Sequence, residues 1–168
     1  PEEAEAAQEA GIDLINTRFD YSKPDLANKI RCSAPNIFMS FVLPLLSVPT
    51  KNDALRHAFK AMELGADGII FQGDIRHIEA LSNAGIPVQG HIGLVPRKST
   101  WTGGLQAVGK NLLEAKKLFQ ELKDLENAGA WAVECEVIPS KIMVELSKRT
   151  SLITMSIGSG NGGDVQLL

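Results

Sequence analysis

Cysteine is scarce in this chain: Cys32 and Cys135 are the only two in 168 residues, and they form neither a CxxC pair nor any metal-ligand spacing. That argues against a disulfide-stapled scaffold and against a zinc motif. Basic runs are absent as well, and a formal charge of -3 with interspersed signs gives no electrostatic reason to expect nucleic acid or an anionic membrane surface as partner. No apolar run reaches the roughly 20 residues that cross a bilayer. The opening PEEAEAAQEAG is acidic and helical in character, unlike a signal peptide. The expectation is a cytoplasmic protein with no membrane and no nucleic-acid partner. What is present is ordinary for a globular domain, 44% hydrophobic and 22% charged, and a single domain over residues 1–168 is expected.

Four times a helix-like segment runs into a glycine and then a strand-like segment, at Gly11, Gly65, Gly85 and Gly129. Glycine takes the left-handed conformation at little cost, so each one reads as a helix stop that returns the chain to a sheet. The strands read as Leu14 to Thr17, Ile37 to Leu43, Gly68 to Gln72, Val88 to Ile92, Trp131 to Val137, Leu152 to Ile157 and Val165 to Leu168. Helical patterns lie between them at Asp25 to Cys32, Asn52 to Leu64, Asp74 to Ala84, Leu112 to Ala128 and Ser140 to Arg149. In the fourth of these, Leu112, Ala115, Leu118, Phe119, Leu122 and Leu125 form an apolar stripe expected to pack on the sheet.

Strands alternating with helices imply a parallel sheet, and about seven strands favour a (β/α)8 TIM-type barrel over an open sheet. A complete barrel takes about 250 residues. The chain is shorter and begins inside a helix-like segment, so the first strand and the terminal helices are expected to be missing from it.

Active sites of parallel α/β proteins lie where strands end. The segment GHIGLVPRKSTWTGGLQAVGK, Gly90 to Lys110, delivers His91 to a polar, glycine-rich loop. In AWAVECEVIP, alternation places Ala132, Glu134 and Glu136 on one face and Trp131, Val133, Cys135 and Val137 on the other. The apolar face should meet helices, leaving both carboxylates inside the barrel, where they must be paired, hydrogen-bonded or shifted in pKa. Either glutamate could instead simply pair with a cation across the barrel. His57 and His77 fall in helix patterns and are expected at the surface.

Seven pieces in order resemble the ketopantoate hydroxymethyltransferase family of the phosphoenolpyruvate mutase and isocitrate lyase barrels: EAGIDLI, SAPNIFMSFVLP, ELGADGIIFQGD, AGIPVQGHIGLVP, GGLQAVGK, NAGAWAVECEVIP and SLITMSIGSG. The resemblance implies a transferase that adds a hydroxymethyl group from methylenetetrahydrofolate to a branched 2-oxo acid, 3-methyl-2-oxobutanoate, towards pantothenate. It implies a magnesium ion on carboxylates, Glu136 as the group that handles the proton beside the carbonyl, and His91 near the substrate. Gln72, Arg97, Lys98 and Ser159 are assigned with His91 to substrate binding. It also implies a homo-oligomer.

The resemblance breaks at the acidic positions expected at three strand ends. They fall on Arg18-Phe19-Asp20, where a slip of one residue makes Asp20 the ligand, on Val42 and on Gln72, with Ile70 in place of a lysine. Hard cations need anionic oxygen, so a magnesium site of the family's kind is expected to be lost or rebuilt. The loop Arg97-Lys98-Ser99-Thr100-Trp101-Thr102 offers cations and hydroxyls for an anionic ligand, or else forms a solvated rim with Trp101 tucked against the barrel. Two other readings stand beside the transferase: a carbon-carbon lyase of the same superfamily acting on another small oxo acid, and a catalytically silent barrel serving as an interaction subunit.

Overall fold

The computed structural model describes all 168 residues and contains seven strands and six α-helices. After α1 (Glu2–Glu9) come β1 (Leu14–Arg18), α2 (Pro24–Ser33), β2 (Phe38–Val42), α3 (Lys51–Glu63), β3 (Gly68–Ile70) and α4 (Ile75–Asn83). The second half runs β4 (Val88–Gly93), α5 (Leu112–Asn127), β5 (Ala132–Glu136), α6 (Ser140–Ser147), β6 (Ile153–Ile157) and β7 (Val165–Gln166). All strands are parallel, and their order in the sheet is their order in the chain, as in the wall of a (β/α) barrel. No helix is long and apolar enough to cross a membrane.

The helices start and stop where local chemistry dictates. Thr50 and Asp53 form a reciprocal capping box at α3, and Asp74 and Asn111 cap α4 and α5 by accepting backbone N–H bonds. The expected stop glycines carry positive φ. Gly129 needs it most: at φ +81° it lies so near α4 that a Cβ would fall 2.3 Å from Ser82 Oγ.

Strand register sorts the side chains. One face carries Met39, Phe41, Ile69, Val88, Ile92, Val133 and Cys135 into a core with Ala54, Ala58 and Ala61 of α3 and Leu118, Leu122 and Leu125 of α5. Each fully buried leucine contributes about 1.5–3 kcal/mol. The other face carries Arg18 beside Val42, Val42 beside Ile70, Ile70 beside Gln89, His91 beside Glu134, and Gly93 beside Glu136. Polar groups therefore gather at the C-terminal ends of the strands on the face turned away from the helices.

Three expectations need correction. β3 ends at Ile70, because after Phe71 N–H donates to Gln89 O the chain turns at Gly73 into the Asp74 cap. Leu112 is 72% exposed at the start of α5, ahead of the first turn that reaches the sheet. His57 is buried, stacked on Tyr21 with ring centroids 4.4 Å apart, because its helix packs closely through small alanines.

Candidate functional site

β4 and β5 place three titratable side chains together. The His91 side chain is wholly buried; its Nε2 lies 3.3 Å from Glu136 Oε2 and its Nδ1 lies 3.9 Å from Glu134 Oε2. Nε2 is also 2.9 Å from the carbonyl oxygen of Leu94, which can only accept, so Nε2 carries the hydrogen. Nδ1 then accepts from Gln72 Nε2 at 2.9 Å. These contacts fix the orientation of the imidazole, its Nε2–H shared between Leu94 O and Glu136.

Burial pushes the Glu134 carboxyl above its ordinary pKa, with the neighbouring Glu136 adding to the rise and His91 opposing it. Gln89 lies one step deeper on the same face, its Nε2 3.5 Å from Glu134 Oε2 and its buried Oε1 without a partner. Cys135 points into the core, where burial raises its thiol to about 12, so it is inert at neutral pH.

The backbone at these strand ends is unusual. Gly93, at φ +86°, passes so close to β5 that a Cβ would lie 2.3 Å from Glu136 O. Val137, directly after Glu136, is the one non-glycine residue with positive φ, at 50°. A β-branched residue there is strained, and such strain concentrates at functional sites.

The other expected residues separate. Gln72 joins the cluster through His91. Arg97 lines a cavity of about 270 Å³ with Arg18, Val42 and Gln72. Lys98 lines a second cavity of about 530 Å³ whose wall includes His91 and Gln72 as well as Glu121 of α5 and Ile78 of α4; burial lowers its ammonium pKa while Glu121 and Asp74 oppose the shift. The 3₁₀ turn Pro96–Thr102 thus sends its two cations to different places, and Trp101, 91% exposed, is not tucked on the rim.

Ser159 is a correction. Its buried hydroxyl donates to Cys135 O at 2.8 Å and accepts from Ile138 N at 2.8 Å, tying β5 to the loop after β6 and leaving nothing for a ligand. Asp20 is exposed, with Oδ1 accepting from Ser22 N and Ser22 Oγ in a tight turn, and the structure does not bring it to the cluster. Sequence reasoning missed Arg18 and Gln89; their shared strand face with Val42 and His91 was a readable signal.

His91, Glu134 and Glu136 place one ligand atom each within 4.8 Å of one another, a group that could hold a metal ion once His91 releases Gln72 or Leu94 O. An imidazole with two carboxylates suits a borderline transition ion better than magnesium, which favours an all-oxygen shell.

Comparison with known proteins agrees with this architecture. The family model of ketopantoate hydroxymethyltransferase matches residues 24–168. The 3-methyl-2-oxobutanoate hydroxymethyltransferase of Deinococcus radiodurans is 34% identical, over 98% of this chain and 66% of that protein. That of Kosmotoga olearia is 31% identical, over 99% of this chain and 70% of that protein. That of Pyrobaculum islandicum is 35% identical, over 75% of this chain and 50% of that protein. The chain spans about half to two thirds of the length of most of these curated relatives. Among solved structures, phosphoenolpyruvate phosphomutase from Streptomyces platensis subsp. rosaceus superposes with TM-score 0.70 at 12% identity, over 97% of this chain and 70% of that one. N-(5'-phosphoribosyl)anthranilate isomerase from Pyrococcus furiosus gives 0.63 at 15% identity, over 92% and 71%. At such identities these two show the fold alone.

Proposed function

The chain belongs to the ketopantoate hydroxymethyltransferase family, and from that premise we propose that its strand-end cluster transfers a hydroxymethyl group to a branched 2-oxo acid, 3-methyl-2-oxobutanoate. The observation that carries this reading is the His91–Glu134–Glu136 arrangement at the ends of β4 and β5. Glu136 takes the proton from the carbon beside the carbonyl, producing an enolate. His91, fixed by Gln72 and Leu94 O, holds the Glu136 carboxylate through its Nε2–H. Glu134, raised by burial, keeps a proton more readily and limits the negative charge gathered at the site. Water releases the one-carbon unit of methylenetetrahydrofolate as formaldehyde and frees tetrahydrofolate; the enolate carbon then adds to the formaldehyde carbon, and the alkoxide so formed takes back the proton held by Glu136.

Magnesium, which the family resemblance implies, does not fit the ends of β1 to β3. Val42 cannot ligate, Gln72 offers only a neutral carbonyl oxygen, and Asp20 alone supplies an anionic oxygen from an exposed turn with Ser22. No step above runs through it.

The same proposal includes a cytoplasmic, single-domain homo-oligomer. One contiguous core of 30 buried residues supports the single domain, and free cysteines suit a reducing compartment. Open edges at β1 and β7 and exposed Leu46, Leu105 and Leu113 support association, which a solution mass above 18.1 kDa checks.

The reaction itself is tested by incubating the purified chain with 3-methyl-2-oxobutanoate and methylenetetrahydrofolate and following the hydroxymethylated acid by mass spectrometry. Enzyme-dependent product is expected. Binding of the acid without product would favour another reaction of the superfamily, and neither binding nor product would favour a silent scaffold.

A further inference from the structure

Two arginines line one cavity beside the site, and neither is paired with a carboxylate of the protein. Arg18 ends β1, Arg97 follows β4 in the 3₁₀ turn, and both line one cavity of about 270 Å³ together with Val42, Leu46 and Gln72. The volume is near the lower end for small-molecule sites. Neither guanidinium forms a hydrogen bond or an ion pair within the protein. The nearest candidate, Asp20, feels the charges of Arg18 and Lys23, yet its carboxylate oxygen is bonded to Ser22. Two like charges against an apolar floor of valine and leucine repel each other, and a bound oxyanion relieves that repulsion.

The position of the cavity matters as much as its charge. Gln72 forms part of its wall and also donates to His91 Nδ1, so the cavity adjoins the His91–Glu134–Glu136 cluster. An acid held by its carboxylate at the arginines would lie beside Gln72, the residue this cavity shares with the hydrogen bonds that hold His91. We infer that Arg18 and Arg97 form a clamp that binds the substrate's carboxylate without a metal ion. The inference rests on the oxo-acid reading of the site and deepens it by naming what holds the acid. Guanidinium groups suit the task because their planar donors match a carboxylate two bonds at a time, and they stay charged at every working pH.

The test is isothermal titration of 3-methyl-2-oxobutanoate into the purified chain in EDTA, repeated with Arg18→Gln, Arg97→Gln and, as a control on the exposed side of α2, Lys29→Gln. Both arginines are exposed, so the variants should fold, which circular dichroism verifies. The clamp predicts binding in EDTA, a loss of about 10- to 100-fold in each arginine variant, the size expected of a charge-assisted hydrogen bond, and no change for the lysine variant. Arginine variants that bind like the wild type, or binding that appears only with a divalent ion, would overturn it. Two further probes separate this inference from the proposed function. If 3-methylbutanoate, which lacks the keto group, binds as tightly as the oxo acid and with the same arginine dependence, the clamp stands and the oxo-acid reading fails. If inorganic phosphate binds the arginines more tightly than either acid, the carboxylate assignment is overturned in favour of a phosphorylated ligand.

Discussion

Glu134 and Glu136 flank one buried imidazole, so a change in the charge of either is felt by the other two. Burial raises Glu134 above its unfolded pKa, so across the interval between the two values the folded protein binds more protons than the unfolded chain. Stability therefore falls as pH rises through that interval, and the deficit persists above it. Glu134→Gln removes the deficit. The variant is expected to melt higher than wild type at pH 7–8, by about 2–4 °C for each kcal/mol recovered, and the gain should vanish below about pH 4, where the wild-type carboxyl is protonated in both states. Thermal melts at several pH values check this; a lower melting temperature at neutral pH would mean that His91 stabilises an ionised Glu134. At this scale the sequence was partly legible. Alternation alone placed Glu134 and Glu136 on one face of their strand, whereas their place beside His91, the bond from Gln72 to His91 and the use of the Ser159 hydroxyl depend on register and distances that no spacing reveals.

The ends of β4 and β5 are positioned by backbone contact as much as by side chains. Leu94 N–H donates to Glu136 O at 2.8 Å, and Gly93 leaves room for that approach. Gly93→Ala would place a methyl against the Glu136 carbonyl and Ile138, so it should cost more than the left-handed conformation alone and should shift Glu136. Gly85→Ala is the matched control, with φ +79° but nothing within 4 Å of its added Cβ, and should cost only about 1–2 kcal/mol. Denaturant melts of both variants, with the transfer rate measured beside them, check the account: Gly93→Ala should lose more stability and nearly all activity, while Gly85→Ala keeps its rate. The elements were legible because glycine stops and hydrophobic period are local signals. The early end of β3 and the burial of His57 were not, since the first depends on where α4 is capped and the second on how closely an alanine-lined helix lies against its neighbours.

Across the whole molecule, parallel strands in chain order bring distant residues to one edge: Arg18, Gln72, His91, Arg97 and Glu136 come from segments far apart in sequence. The barrel architecture could be read from repeated strand and helix units, and the family from seven motifs in order. The pairing of Arg18 with Arg97 could not, because it needs the register of β1 against β2 and the path of the turn after β4. With Val42 and Gln72 where the resemblance led us to expect carboxylates, the central claim is that Glu136 abstracts a proton from a 2-oxo acid beside His91. The most direct measurement is exchange of the C3 hydrogen of 3-methyl-2-oxobutanoate for deuterium in heavy water, followed by proton NMR with the purified chain and EDTA, for wild type and Glu136→Gln. The account predicts enzyme-dependent exchange that falls by about 10²–10⁴-fold in the variant, the usual contribution of a positioned base. Exchange that is absent in wild type, or that persists undiminished without the carboxylate, would contradict it.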